Sequence, residues 1–288
     1  MKNNFWKKTG WFALMVLPVV ASLVGQIAIG VLVVILSALS TVLSGLGGGL
    51  TPEQIQQAIL EQSMDGIVFS ILVYHVLALL AFGLWYYFGC GRPKPVSPGK
   101  VFRGRVVLVT VVMGLLMCIG ANALLGAAEY LVPRMIEEYS EMMEMAGIGV
   151  NLFAIIASVL IAPIGEEILC RGLTFHYAGK VVEGMKNEKA AFWTANCLQA
   201  LMFGIMHGNL VQGSYAFLLG LCLGWLRHRY NSLYPAMLAH FVVNFASSFV
   251  MGYLFMALPN LFVVYVGILA VSVAAILMLM RHEEKCER

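Results

Sequence analysis

The sequence predicts an all-α polytopic membrane protein of about eight helices, and three observations predict it. First, 60% of the 288 residues are hydrophobic and only 11% are charged, with a mean hydropathy of +0.86. Soluble domains carry roughly 25% charged residues, so this chain lacks the polar surface to cover a globule in water. Second, apolar runs of about 20 residues, the length that crosses hydrocarbon, recur along the chain. Third, the basic residues collect in alternate loops.

The first run extends from Trp11 to Leu43 without a charge. A signal-peptide core has only about 7–15 residues, so the run reads as a retained first helix, about 11–43, with Gly45–Gly49 as a flexible exit. Further spans are expected at about 66–90, 105–132, 149–182, 191–208, 213–227, 233–250 and 256–280. The fourth is carried through the charges at its centre. The sixth has about 15 residues, roughly 22 Å of helix.

With the N-terminus inside, every Lys and Arg except Arg134 falls in a cytoplasmic stretch, while Glu53, Glu61, Asp65 and Glu137, Glu138, Glu141, Glu144 fall outside. Both termini are therefore expected in the cytoplasm, and as a separate expectation the membrane is a bacterial or archaeal cell membrane. The chain divides into N-terminal helices over 1–148, a core over 149–250, and a last helix with a charged tail over 251–288. Within the first part, 91–105 is a stiff basic loop containing Pro93, Pro95 and Pro98. Residues 134–147 are acidic and Met-rich, fit for an amphipathic helix on the outer surface.

The same figures exclude function classes. A soluble enzyme, a disordered chain and a disulfide-stapled domain are ruled out. A net charge of +3 is too small and dispersed for nucleic acid. Six cysteines form no CxxC pair, so neither a redox motif nor a zinc ribbon is indicated. No internal repeat supports an inverted-repeat transporter. Oligomeric state has no signature.

Ionisable groups inside membrane segments cost at least about 2.5–3.5 kcal/mol each on insertion scales and mark function by default. They cluster here in three places: Gly165-Glu166-Glu167-Ile168-Leu169-Cys170-Arg171, Phe203-Gly204-Ile205-Met206-His207, and His240-Phe241-Val242-Val243-Asn244. Successive helical residues point about 100° apart, so the two glutamates do not share a face. Arg171 lies four residues after Glu167 and can neutralise it; Glu166 has Cys170 at that spacing and no such partner. An unpaired carboxylate in a low-dielectric site suits a general base, and Pro163 should bend the helix beside it. His240 and Asn244, four apart, address one point. His75 reads as a packing residue, and His176, His228 and His282 as interfacial or solvated groups.

Together, Glu-Glu-x-x-x-Arg, Phe-x-x-x-His and His-x-x-x-Asn in successive hydrophobic segments resemble the CAAX-prenyl-protease and bacteriocin-processing (CPBP, or Abi-type) intramembrane proteases, over about 149–250. The resemblance implies an eight-helix bundle whose catalytic cavity opens to the cytoplasm. It implies that Glu166 and His207 activate a water, that His240 and Asn244 stabilise the oxyanion, and that Glu167 and Arg171 hold the scaffold. The substrate would be a membrane-associated protein or peptide, of prenylated CAAX or bacteriocin type. No cofactor is expected, although the family is commonly labelled metalloprotease and Glu166, His207 and His240 would make a zinc set. Two other functions compete: a non-proteolytic partner of the same fold, in bacteriocin immunity or envelope regulation, and a proton-coupled transporter using the same groups as a relay. One geometric demand follows. His207 should lie towards the outer face and Glu166 near mid-membrane, so the hairpin 191–227 is expected to be shallow.

Overall fold

A computed structural model describes residues 2–90, 103–147 and 151–285. The basic loop with Arg92, Lys94 and Lys100, the first residues of the expected core and the tail from Cys286 lie outside the described residues. Among those described there is no strand, and seven helices are long and apolar enough to cross a membrane.

The first two helices form a long hairpin, α1 over Lys2–Gly47 and α2 over Pro52–Gly89. The expected flexible exit is mostly helix. The chain turns only at Gly48–Leu50, where Gly49 takes a φ of +71° that L side chains rarely adopt. α2 starts well before residue 66 because Thr51 caps it: its hydroxyl accepts from Gln54 N, the Gln54 side chain accepts from Thr51 N, and Pro52 occupies the first turn. Its 38 residues make about 57 Å of helix, well beyond the roughly 30 Å of hydrocarbon.

α3, Gly104–Leu131, is followed by α4, Pro133–Met145, in the acidic segment. α4 is amphipathic, as its pattern requires. Met135, Ile136, Tyr139, Met142 and Met143 form a half-buried stripe at helical spacing, and its glutamates are exposed. The stripe packs on the bundle, touching α3 and α7. The core then comprises α5, Leu152–Val181; α6, Glu188–Met206; α7, Leu210–Arg229; and α8, Leu233–Met256. α9, Phe262–Lys285, packs back along α3.

The segment expected at 191–208 is α6, a regular helix that is not among the seven by length and hydropathy. Glu188 and Lys189 open it, and Asn196 and Gln199 are buried within it against protein. The next segment is longer than the expected 15 residues: α7 has 20, about 30 Å, because Asn209 caps it at Gln212 N. The α6–α7 pair is thus a hairpin whose second arm is long enough to cross. The two arms touch where Gly204 meets Gly213; a Cβ on Gly204 would sit 2.7 Å from the Gly213 carbonyl oxygen. Gly114 does the same between α3 and α8, with a Cβ 2.9 Å from Ala239 O. Without a hydrophobic drive between helices in lipid, such small-residue contacts are how backbones come close enough to pack.

One end of the bundle is tied by Glu283, only 4% exposed. Arg105 Nη2 donates to its carboxylate at 2.8 Å, Tyr230 Oη donates at 3.1 Å, and Arg229 Nη2 donates to its carbonyl at 2.7 Å. Burial, with the Glu283 carboxylate alongside, pushes the Tyr230 phenol above its usual range.

Candidate active site

The site grows out of an irregular helix. α5 is π-helical over Ile156–Ile161 and again over Ile168–Thr174, with an α-helical piece, Ala162–Glu167, between. Pro163 lies in the first turn of that piece. It has no N–H to donate, and the wide turn before it absorbs the missing bond. Where a bend is expected at Pro163, the structure has this alternation of helix types, and both glutamates sit at the end of the short α-helical piece.

Their fates diverge at once. Glu167 is 0% exposed. Its Oε1 accepts from Arg171 Nη1 at 2.8 Å and from His240 Nδ1 at 2.9 Å. The Arg171 guanidinium lies over the Phe203 ring, 4.2 Å from its centroid, so its charge meets a carboxylate and an aromatic face. Beside it, Gln199 Nε2 donates to Asn196 Oδ1 at 2.7 Å and to Gly220 O at 2.8 Å, and Asn196 Nδ2 donates to Leu221 O at 2.9 Å. This is a packed polar layer across α5, α6 and α7.

Glu166 points the other way, its side chain 19% exposed. Oε2 lies 3.8 Å from His240 Nε2 and Oε1 lies 3.8 Å from His75 Nε2, both beyond direct hydrogen-bond range. His207 is the C-cap of α6. Its Nδ1 donates to Phe203 O at 2.8 Å, which directs Nε2 away from the helix. The chain then turns at Gly208, φ +64°. Asn244 Nδ2 donates to Ser158 O, in the first π-helical stretch of α5, at 2.8 Å. Phe203 stands edge-on to both His207 and His240, with centroids 4.8 and 5.7 Å apart.

Glu166, His207, His240 and Asn244 all line one cavity of about 410 Å³. The depth conflict between Glu166 and His207 does not arise, although α7 is long. Glu167 and Arg171 are behind its wall. On α5, α6 and α7 alike, the packed polar layer lies on the basic-ended side of the cavity residues, and the cavity wall extends the other way, to Tyr139 of α4. An opening at the basic-ended side would need a path around that layer. Tyr139 Oη is 2.9 Å from Tyr215 Oη, and burial pushes the Tyr139 phenol up.

The spacing argument missed part of this wall. His75, read as packing, faces the cavity, and so do Asn122, Tyr139 and Tyr215. None of them belongs to a motif of paired ionisable groups, so the only available signal was polarity beside apolar residues. His228 stacks on Phe192 with centroids 4.1 Å apart, and the His282 side chain is 69% exposed; neither lines the cavity.

The alternative zinc set does not fit as placed. Among the described residues no three His, Cys, Asp or Glu side chains are grouped so as to hold a metal ion, whereas zinc requires its ligands to converge within about 2.0–2.3 Å of one point.

Residues 148–246 match the family model described as type II CAAX prenyl endopeptidase, Rce1-like. This segment is similar to the CAAX-protease family. It holds Glu166, Glu167, Arg171, His207, His240 and Asn244, so the part of the chain that resembles a peptidase sits inside a polytopic membrane bundle. The CAAX-protease segment does not close the cavity by itself: His75, Asn122 and Tyr139 come from helices that precede it. No curated protein and no solved structure matches the chain.

Proposed function

We propose that this protein is an intramembrane endopeptidase that hydrolyses a peptide bond in a membrane-associated protein or peptide, with Glu166 as the base. The observation that carries the reading is the meeting of Glu166, His207, His240 and Asn244, from three separate segments, on one 410 Å³ cavity within a segment of peptidase type.

The residues divide the work by their surroundings. Glu166 and His207 face the cavity and take the proton of a water as its oxygen bonds to the scissile carbonyl carbon. His240 is held through Nδ1 by Glu167, itself balanced by Arg171. An ionised Glu167 can only accept, so the Nδ1 proton is fixed, and the ring turns Nε2 to the cavity. With Glu166 on its far side, Arg171, Glu167, His240 and Glu166 form a row of alternating charge when the ring is protonated. In that state Nε2–H and the second Nδ2 proton of Asn244 meet the carbonyl oxygen as it becomes an oxyanion. The C–N bond then breaks, and the leaving amine takes the proton held by Glu166. No acyl-enzyme forms and no step uses a metal. Both termini face the cytoplasm on this reading, and the substrates fall in the prenylated CAAX or bacteriocin class.

The test compares purified wild type with Glu166→Gln on quenched-fluorescent peptides, with and without a prenylated cysteine, each with and without a chelator. Cleavage that vanishes in the variant and ignores the chelator is expected. Cleavage retained in Glu166→Gln overturns the assignment of the base, and loss with chelator overturns the metal-free mechanism. Proton-driven uptake into vesicles that disappears in Glu166→Gln would favour the transporter instead.

A further inference from the structure

Three histidines line the cavity, and two belong to the motifs that gave the site its residues. The third, His75, stands on α2, far from the CAAX-protease segment, and the mechanism above leaves it idle.

Its geometry is not that of a packing residue. Nδ1 donates to Ile71 O at 2.7 Å, which fixes the ring and sends Nε2 outward. Nε2 faces Glu166 Oε1 at 3.8 Å, and the other oxygen, Oε2, faces His240 at the same distance. The two histidines therefore each face a different oxygen of the carboxylate. A gap of about 20 Å³ that adjoins the main cavity is bounded in part by Gln26, Tyr74, His75 and Glu166. A water needs about 10–15 Å³ and two to four polar partners, and these four side chains supply them. A water 2.8 Å from each of two groups spans roughly 4.0–4.8 Å at angles of about 90–120°, so a few tenths of an ångström of movement from the 3.8 Å between Nε2 and Oε1 admits one. The other titratable groups facing Glu166 are His207 from α6, Tyr215 from α7, His240 from α8, Tyr74 from α2 and Cys170 from its own helix.

We propose that His75 is the positioning residue of the glutamate base, joined to Oε1 of Glu166 through one water so that the carboxylate presents Oε2 to the reacting centre. It rests on the endopeptidase reading for its consequence and on the α2–α5 geometry for its existence. The N-terminal hairpin is then part of the catalytic apparatus.

Two readouts on the full chain in detergent test it, one of which needs no turnover. In the peptide assay, His75→Gln lowers kcat about tenfold with KM nearly unchanged, and His75→Ala lowers it about 100-fold, the scale of a misplaced catalytic group. Millimolar imidazole restores about tenfold to His75→Ala, which a structural defect would not allow. Independently, a hydrophobic carbodiimide modifies Glu166, followed by mass spectrometry of the labelled peptide, and the rate changes about fivefold in His75→Gln as its hydrogen-bonded partner is lost. A kcat within twofold of wild type in His75→Gln, a loss confined to KM, or unchanged Glu166 labelling overturns the proposal. Should wild type cleave no peptide, the endopeptidase reading fails, and the labelling rates alone decide the role of His75.

Discussion

Glu166 and Glu167 are adjacent in sequence and identical in chemistry, yet they belong to different regions of the molecule. Glu167 lies in a sealed layer with Arg171, His240, Phe203, Gln199 and Asn196, fully buried and ion-paired within its own helix. Glu166 lies on the wall of an open cavity, with histidines just beyond hydrogen-bond reach on both sides. A buried pair is expensive to break because the partner stays behind as an uncompensated charge, whereas a group poised at a cavity is free to exchange protons. The layer is thus a support whose loss harms the fold, and on the proposed reading the wall is a reaction surface whose loss harms turnover. His240 is the hinge between them, bonded to one glutamate and facing the other.

The contrast breaks most directly at Glu166→Gln. Peptidase kcat should fall by about 10²–10⁴ while the melting temperature of the detergent-solubilised protein barely moves; a large drop in melting temperature would put Glu166 in the support. Glu167→Gln should strike the fold first, and lower turnover as well because His240 Nδ1 loses its carboxylate acceptor. Leaving Arg171 buried without its anion should cost about 3–5 kcal/mol of stability, read as a lower thermal or denaturant midpoint. Replacing both residues, as in Glu167→Leu with Arg171→Met, should recover much of that loss.

Asn244→Ala sharpens the boundary. Removing one oxyanion donor costs about 2.7–4 kcal/mol of transition-state stabilisation, so kcat should drop about 100-fold or more, with a modest stability change from the lost bond to Ser158 O. Unchanged kcat would move Asn244 to the support. Gly204→Ala reaches the site through packing: its Cβ would meet the Gly213 carbonyl at 2.7 Å, and overpacking of this kind costs about 1–3 kcal/mol. Melting temperature and peptidase rate should fall together, because His207 ends the same helix. Arg105→Ala at the far end should be the mildest. Its side chain is 53% exposed but the Glu283 carboxylate it pairs with is only 5% exposed and keeps the Tyr230 hydroxyl, so the melting temperature should fall modestly while the peptidase rate stays near wild type.

Much of this was legible beforehand because the relevant signals are local. The i,i+4 spacing of Glu167 and Arg171 predicts their contact, and the helical stripe of the acidic segment predicts α4. The irregular helix beside Pro163 follows from a missing N–H. Boundaries fared less well where capping chemistry outweighed hydropathy: the Thr51–Gln54 box carries α2 far upstream of its apolar run, and Asn209 lengthens α7. His75 escaped because a lone histidine has no spacing partner, and its partner is 91 residues away on another helix.

The sequence by itself determined that the chain is a bundle of membrane helices, which polar groups it places at a cost inside them, and which glutamate has a charge partner within its own helix. Composition, periodicity and short-range spacing suffice for these, since each depends on one segment and its solvent. Only the tertiary structure decided that the three motifs share a cavity, that His240 bridges the two glutamates, and that α2 and α4 help to wall the site. Those facts depend on where helices cross, and crossings are set by side-chain volume at glycine contacts such as Gly204–Gly213 and Gly114–Ala239. Such contacts join residues far apart in sequence.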